Sequence, residues 1–292
     1  MYEAARLLFA RALTPLHVGI GRAESYYVDL PIQRDEFSYP AIWASSLKGA
    51  IKAYLSNQVK KYLGSEPEER ESRPSSISIL DTRLVFIPAR TISGVWTYIT
   101  TSHLLGYLKR YLDVYGEIEK NKQLTLNLDN VKKNVSDEKS AVSTKFLGKI
   151  LLNEIELDVK KEDKLLEDTK LAEILPEDII NIIRNQGIVV VSDVNNIGLN
   201  IVNKSIVIQY RVKLKREEKV VETGALWSEE YLPIETIFVS LILCSKYIER
   251  QSGISKDSSK VCEEFENEIN KKVIYVGGKE TIGRGLLKLY TR

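Results

Sequence analysis

The sequence predicts an α+β protein whose core is a βαββαβ unit, split in two by an insertion and a hairpin. Three observations lead there. Continuous apolar runs at residues 7–13 and 236–244 read as buried strands. Each run is followed by a segment with three- and four-residue apolar spacing, and then by another strand-like segment. A long stretch rich in Lys, Asp and Glu separates the two halves. Strand–helix–strand repeated in this way is the plan of a ferredoxin-like or RRM-like core, the palm of the molecule.

The first half spans 1–116 and contains a long loop at 14–44. An insertion covers 117–203, a β-hairpin thumb 204–234, and the second half of the core 235–292. The strand at 7–13 stops at Thr14-Pro15, because proline cannot donate to a ladder. Residues 14–44 have no helical period and carry glycines at 19 and 21 and prolines at 31 and 40; a loop of this length inside a compact domain is usually functional. Ser45 or Ser46 is positioned to cap a helix with Leu47, Ile51, Tyr54, Leu55 and Val59 on its apolar face, running to Gly64.

A strand is expected over 77–87, ended by Pro88, with another at 94–99 and a helix over 102–115. The insertion shows local helical patterns, such as 165–183, and reads as charged and largely helical. Residues 205–214 alternate, and 222–227 are expected to turn the chain back into 228–232. This arm is basic, with Lys204, Arg211, Lys213, Lys215, Arg216 and Lys219. A helix over 258–272 with Val261, Phe265 and Ile269 on one face, and a strand over 285–290, complete the plan.

Composition excludes several classes. With 43% hydrophobic residues in 292, the chain can bury a large core. Its 42 basic and 40 acidic residues nearly cancel, so any nucleic-acid surface must come from local clustering. No run approaches the roughly 18 apolar residues of a membrane span, and arginines interrupt the N-terminal apolar stretch. Cys244 and Cys262 form no metal-spaced pair and suggest no disulfide framework, so a cytoplasmic location is expected. A charged content of 28% with a single Met fits a hot environment.

Four places can carry chemistry. The segment GGKETIGRG at 277–285 has the glycines that let a backbone approach a phosphate, with Lys279, Thr281 and Arg284 between them; a β-turn with a bulge is the competing reading. It matches neither the P-loop nor the dinucleotide-binding pattern. Ser45, Ser46 and Lys48 stand at a helix start, where free N–H groups favour an anion, or where a plain capped helix would serve as well. His17 and Asp29 are the acid–base candidates of the long loop, although such residues are commonly turn-formers. Arg90 can hold a phosphate, and Trp96 can stack on a base or pack in the core.

Taken in order, HVGIG from His17, VDLPIQR from Val28, PAIWASSLKG from Pro40, PAR from Pro88, VETGALWSEEY from Val221 and GGKETIGRG from Gly277 resemble the RAMP superfamily. The resemblance is greatest to the backbone subunits of Cmr complexes, the type III-B CRISPR effectors, where they are counted as the fourth subunit. It covers both ends and the hairpin but not 117–200.

It implies a subunit that polymerises along guide CRISPR RNA, bound to other copies of itself and to other RAMP subunits. The guide would be held by Ser45, Ser46, Lys48, Arg90, Gly277, Gly278, Lys279, Thr281 and Arg284. The thumb, with Thr223, Leu226, Trp227, Glu229 and Glu230, would flip a nucleotide of single-stranded target RNA. Asp29, which precedes LPIQR, would then cut there, either as general base or by helping to hold a divalent metal, Mg or Mn, recruited with the RNA. His17 would take part in cleavage or touch RNA. A non-catalytic scaffold, the type III-A (Csm) counterpart and a repeat-processing endonuclease are the alternatives. The family places a glycine before Pro40, where this chain has Ser38-Tyr39.

Overall fold

A computed structural model describes residues 2–23, 27–65, 73–120, 122–214, 221–249, 253 and 255–292, without the side chains of 221–224. The first half contains β1 (Ala4–Ala12), β2 (Ala41–Ile42), α1 (Ala44–Tyr54), α2 (Asn57–Lys60), β3 (Ile77–Ile79), β4 (Thr82–Arg90), β5 (Trp96–Thr101) and α3 (Ser102–Ile118). Next come α4 (Asp129–Asn134), β6 (Ser140–Ser143), β7 (Gly148–Leu152), β8 (Ile155–Lys161), α5 (Leu165–Asp168), α6 (Leu171–Ile174), α7 (Glu177–Gln186), β9 (Ile188–Val191) and α8 (Ile197–Ser205). The chain ends with β10 (Val207–Leu214), β11 (Val221–Tyr231), β12 (Ile237–Cys244), β13 (Tyr247–Ile248), β14 (Ser255–Lys256), α9 (Ser258–Ile269), β15 (Val273–Tyr275) and β16 (Leu286–Thr291).

The result is a mixed α+β fold around one 12-stranded sheet. At its centre β16, β1, β12 and β4 lie side by side, each antiparallel to its neighbour. Strands buried on both faces read as continuous apolar runs, and β12 is such a run. One face packs Leu8, Ala10, Leu84 and Phe238 against Leu47 and Ile51 of α1 and Val261 and Phe265 of α9. The other packs Leu7, Phe9, Val85 and Leu241 against Leu105, Leu108 and Leu112 of α3 and Ile179 and Ile183 of α7.

Several expectations need correction. The first helix breaks after Tyr54, where Glu268 of α9 accepts from Ser56 N, 2.9 Å away, and so caps the start of α2. Its N-cap is Trp43, not Ser45 or Ser46, and Asp81 Oδ1 accepts from Ala44 N at 2.8 Å. Pro88 lies inside β4, beyond the point at which β12 last pairs with it at Phe86, so it occupies the edge-like position proline tolerates. Residues 222–227 belong to strand β11 and not to a turn. The tip residues Lys215, Arg216 and Lys219 lie outside the described residues.

The region 117–203 is not largely helical. Its β9 joins the sheet parallel to β5, and β6, β8 and β7 extend it outward. The short buried run Ile188–Val191 drives this, since four apolar β-branched residues need cover on both faces. Cys244 of β12 and Cys262 of α9 form a disulfide, against expectation, because the helix packs directly over the strand and brings their Cα atoms to 5.7 Å.

Candidate RNA-cleavage and RNA-binding site

The long loop at 14–44 is anchored by bridges to the thumb root, Leu16 to Leu232 and Leu30 to Glu229, and by internal bridges Gly19 to Ile32 and Arg34 to Pro40. Ser38 has φ 69°, a glycine-like conformation two residues before Pro40. Gly19 must lack a side chain, because a Cβ there would sit 2.6 Å from the His17 ring.

Asp29 is fixed by one residue of β11. Ser228 donates to Asp29 Oδ2 from its backbone N–H and from its hydroxyl, both at 2.8 Å, while Asp29 N donates to the Ser228 hydroxyl oxygen at 3.0 Å. Arg22 approaches Oδ1 at 3.9 Å, and the Asp29 side chain stays 38% exposed. The Ser228 N–H foremost, then its hydroxyl, hold the Asp29 carboxyl below its ordinary range, with Arg22 adding to the effect. Asp29 is therefore a positioned, solvent-facing carboxylate at the thumb root.

The next two residues bind the thumb to both ends of the chain. Glu229 is fully buried and accepts from Lys279 Nζ at 2.6 Å, from Trp227 Nε1 at 2.6 Å and from the Tyr231 hydroxyl, with Arg211 at 3.7 Å. Burial pushes its carboxyl up, but the hydrogen bonds from Lys279, Tyr231 and Trp227 outweigh this and hold it at about 2. Glu230 accepts from Ile32 N at 3.0 Å and from Arg34 at 3.2 Å. His17 is buried, and its Nδ1–H donates to Glu230 O at 2.7 Å.

The glycine loop closes on the same place. Gly278 N donates to His17 O at 3.0 Å, and Gly277 has φ 83° with the His17 carbonyl where a Cβ would lie. Arg284 donates to Gln209 at 3.3 Å and stacks over the Tyr231 ring. Thr281 is exposed in a short turn, and the backbone N–H groups of Lys279, Glu280 and Thr281 have no partner among the described residues. Gln33 joins α1 to the cluster by donating to Ser46 Oγ at 2.9 Å.

The structure brings some sequence-predicted residues together and leaves others apart. Asp29, His17, Ser46, Gly277, Gly278, Lys279, Arg284, Trp227, Glu229 and Glu230 belong to one connected cluster. Ser45 and Lys48 lie on α1 beside it, where Lys48 donates to Ser75 at 3.3 Å and burial, then Lys52, lower its pKa. Arg90 stands apart, 3.8 Å from Glu154, and Trp96 packs edge-on against Tyr98. Leu226 is exposed on the thumb, and the Thr223 side chain lies outside the described residues. Ser228, Gln33 and Arg34 are site residues that sequence reasoning missed, although the motifs that flag Asp29 and Glu229 contain all three.

Among the described residues no group of three or more His, Cys, Asp or Glu side chains can hold a metal. Asp29 offers one carboxylate. That donor set suits an ion held mainly by RNA oxygens and water, as magnesium often is, and not a resident protein-caged ion.

The RAMP superfamily model matches residues 9–288. This chain belongs to the RAMP superfamily. Among curated RAMP relatives, the CRISPR system CMR subunit Cmr4 of Saccharolobus solfataricus is 35% identical, over 99% of this chain and 96% of its own length. The CRISPR system Cmr endoribonuclease Cmr4 of Pyrococcus furiosus is 31% identical, over 98% and 95%. A chain of the type III-B Cmr-beta complex bound to cognate target RNA superposes with a TM-score of 0.77 at 33% identity, covering 99% of this chain and 98% of that one. Oligomeric Cmr4 from P. furiosus shares the fold, with a TM-score of 0.69 at 24% identity and coverage of 99% and 97%.

Proposed function

We propose that this RAMP protein is the backbone subunit of a type III-B CRISPR effector, polymerising along guide RNA and cutting bound target RNA at regular intervals. The observation that carries this reading is the Asp29 carboxylate, exposed and doubly held by Ser228 at the thumb root. The relatives' names support it, and the central strand order β16-β1-β12-β4, with α1 and α9 on one face, supports a ferredoxin-like palm split by 117–203.

Strand cleavage proceeds by attack of the target's 2′-oxygen on the adjacent phosphorus. The 2′-hydroxyl gives its proton to water as its oxygen bonds to phosphorus, and the 5′-oxygen of the next nucleotide leaves and takes a proton from water, giving a 2′,3′-cyclic phosphate and a 5′-hydroxyl end. Stacked RNA resists the in-line geometry, and flipping a nucleotide against the thumb provides it. Asp29, with its lowered pKa, is a poor proton acceptor but a strong fixed negative charge. Its role in this proposal is to orient the reacting group, and a divalent ion recruited with the RNA would offset charge at the phosphate. Buried His17 holds the loop, the thumb root and the glycine loop together, with no direct part in cleavage. Lys48, Ser45 and the N–H groups at 279–281, unpartnered among the described residues, grip the guide backbone.

The expected site of action is the cytoplasm; no helix among the described residues is long and apolar enough to cross a membrane. The Cys244–Cys262 bond fits that compartment in hyperthermophilic archaea, whose intracellular proteins carry disulfides.

The relative at 35% identity is named as a subunit without an activity, which favours a scaffold as the second reading. Assembled complex given end-labelled target RNA and divalent metal decides between them. A regularly spaced product ladder that Asp29→Asn abolishes, with guide binding intact, is expected; a ladder unchanged in that variant removes Asp29 from cleavage, and no ladder at all leaves the scaffold.

A further inference from the structure

The two faces of the thumb ribbon are unequal. Residues opposite one another in an antiparallel ladder share a face, with Cβ atoms about 4.5–5.5 Å apart. One face, made of Gln209 opposite Glu229, Arg211 opposite Trp227 and Val207 opposite Tyr231, is filled by the Lys279–Glu229 pair and by Arg284. The other pairs Tyr210 with Ser228, Ile208 with Glu230 and Val212 with Leu226. Ser228 and Glu230 are covered by the long loop, but their neighbours are bare: Tyr210 is 75% exposed, and Ile208, Val212 and Leu226 are about half exposed or more. Tyr210 has no side-chain partner among the described residues.

An aromatic ring thus lies directly across the ladder from the serine that holds Asp29, in an apolar surround. We infer that Tyr210 is a stacking platform for an unpaired nucleobase of the target RNA, next to the phosphate that Asp29 addresses. This rests on the proposed cleavage function for its placement of the cut. An unpaired base matches the site on three counts. A tyrosine ring and flanking apolar side chains offer a π-face of the kind that single-stranded bases use, and such stacking tolerates any sequence. Arg22, 74% exposed and 3.9 Å from Asp29 Oδ1, supplies charge that a phosphate backbone needs and a protein core would not. The site is also continuous with the carboxylate, so a base held there fixes the sugar whose 2′-hydroxyl must be aligned.

Tyr210 is accordingly a positioning residue. The test uses the assembled complex with guide RNA and a target carrying 2-aminopurine at successive positions across one cleavage interval, 2′-deoxy there to prevent cutting. Wild type should quench the probe at one position per interval, Tyr210→Phe should quench it equally, and Tyr210→Ala should restore its fluorescence. With an ordinary target, Tyr210→Ala should cut about 10-fold more slowly, a loss typical of one base-stacking contact, while target capture by the guide is unchanged. Quenching in Tyr210→Ala equal to wild type overturns the inference, whether or not cutting slows. Absence of cutting by wild type would sink the cleavage reading alone, because the fluorescence contrast does not depend on it.

Discussion

Lys279 of the glycine loop and Glu229 of the thumb root meet at 2.6 Å, with the carboxylate fully buried. The cation that sequence assigns to a phosphate is therefore committed to a buried anion, and it joins the glycine loop to the thumb root. Breaking one partner of such a pair leaves the other uncompensated, so Lys279→Ala and Glu229→Gln should each destabilise the protein by about 3 kcal/mol in denaturant melts. Unfolding midpoints equal to wild type would show that the pair is dispensable.

The same carboxylate makes stability depend on pH with a defined sign. Its folded pKa of about 2 lies below the ordinary 4.5, so its contribution is fully present above 4.5 and disappears as pH falls toward 2. Wild type should lose stability across that window, and Glu229→Gln should show a flatter dependence there. Parallel curves for the two proteins would assign the acid sensitivity to other carboxylates.

Ser228 controls the charge of Asp29. Two of the hydrogen bonds that lower the Asp29 pKa come from this residue, and Ser228→Ala removes the hydroxyl while keeping the N–H. The acid limb of the target-cleavage rate should lie below the ordinary carboxylate range in wild type and move up toward it in Ser228→Ala. An unmoved limb would mean that another group limits cleavage at low pH.

Much of this was legible in the sequence, for reasons that differ by element. Strands β1 and β12 and helix α9 are long and strongly patterned, so burial period alone finds them. The motifs around Asp29, Glu229 and Gly277 also surfaced, because glycines and charges inside apolar surroundings are conspicuous. The β6–β9 strands did not, since runs of four to seven residues among lysines and glutamates carry too little period to compete with helical spacing. Nor did the partnership of Lys279 with Glu229, 50 residues apart, which only the packed fold brings together. Tyr210 looked like one alternating strand residue until the register placed it opposite Ser228.

The Cys244–Cys262 bond ties the strand β12 to the helix covering it, closing a loop of sequence separation 18. A loop of that size should contribute about 3 kcal/mol, chiefly by restricting the unfolded chain. The double variant Cys244→Ala, Cys262→Ala should unfold at correspondingly lower guanidinium concentration, and added reductant should bring wild type close to it. Wild type insensitive to reductant throughout unfolding would show that the two thiols are not joined in solution.

Lys48 separates gripping RNA from holding the fold, which Lys279 cannot. Its ammonium donates to Ser75 Oγ at 3.3 Å, and among the described residues no carboxylate is paired with it, so Lys48→Ala leaves no buried charge among them. If Lys48 touches a guide phosphate, its loss should lower guide affinity and reduce the slope of log K against log salt by about 1. The melting temperature should stay within a degree or two of wild type, in contrast to Lys279→Ala, whose weaker RNA binding would arrive together with lost stability. Guide affinity and salt slope both unchanged in Lys48→Ala would take this lysine out of the RNA interface and leave the α1 end of the grip to Ser45.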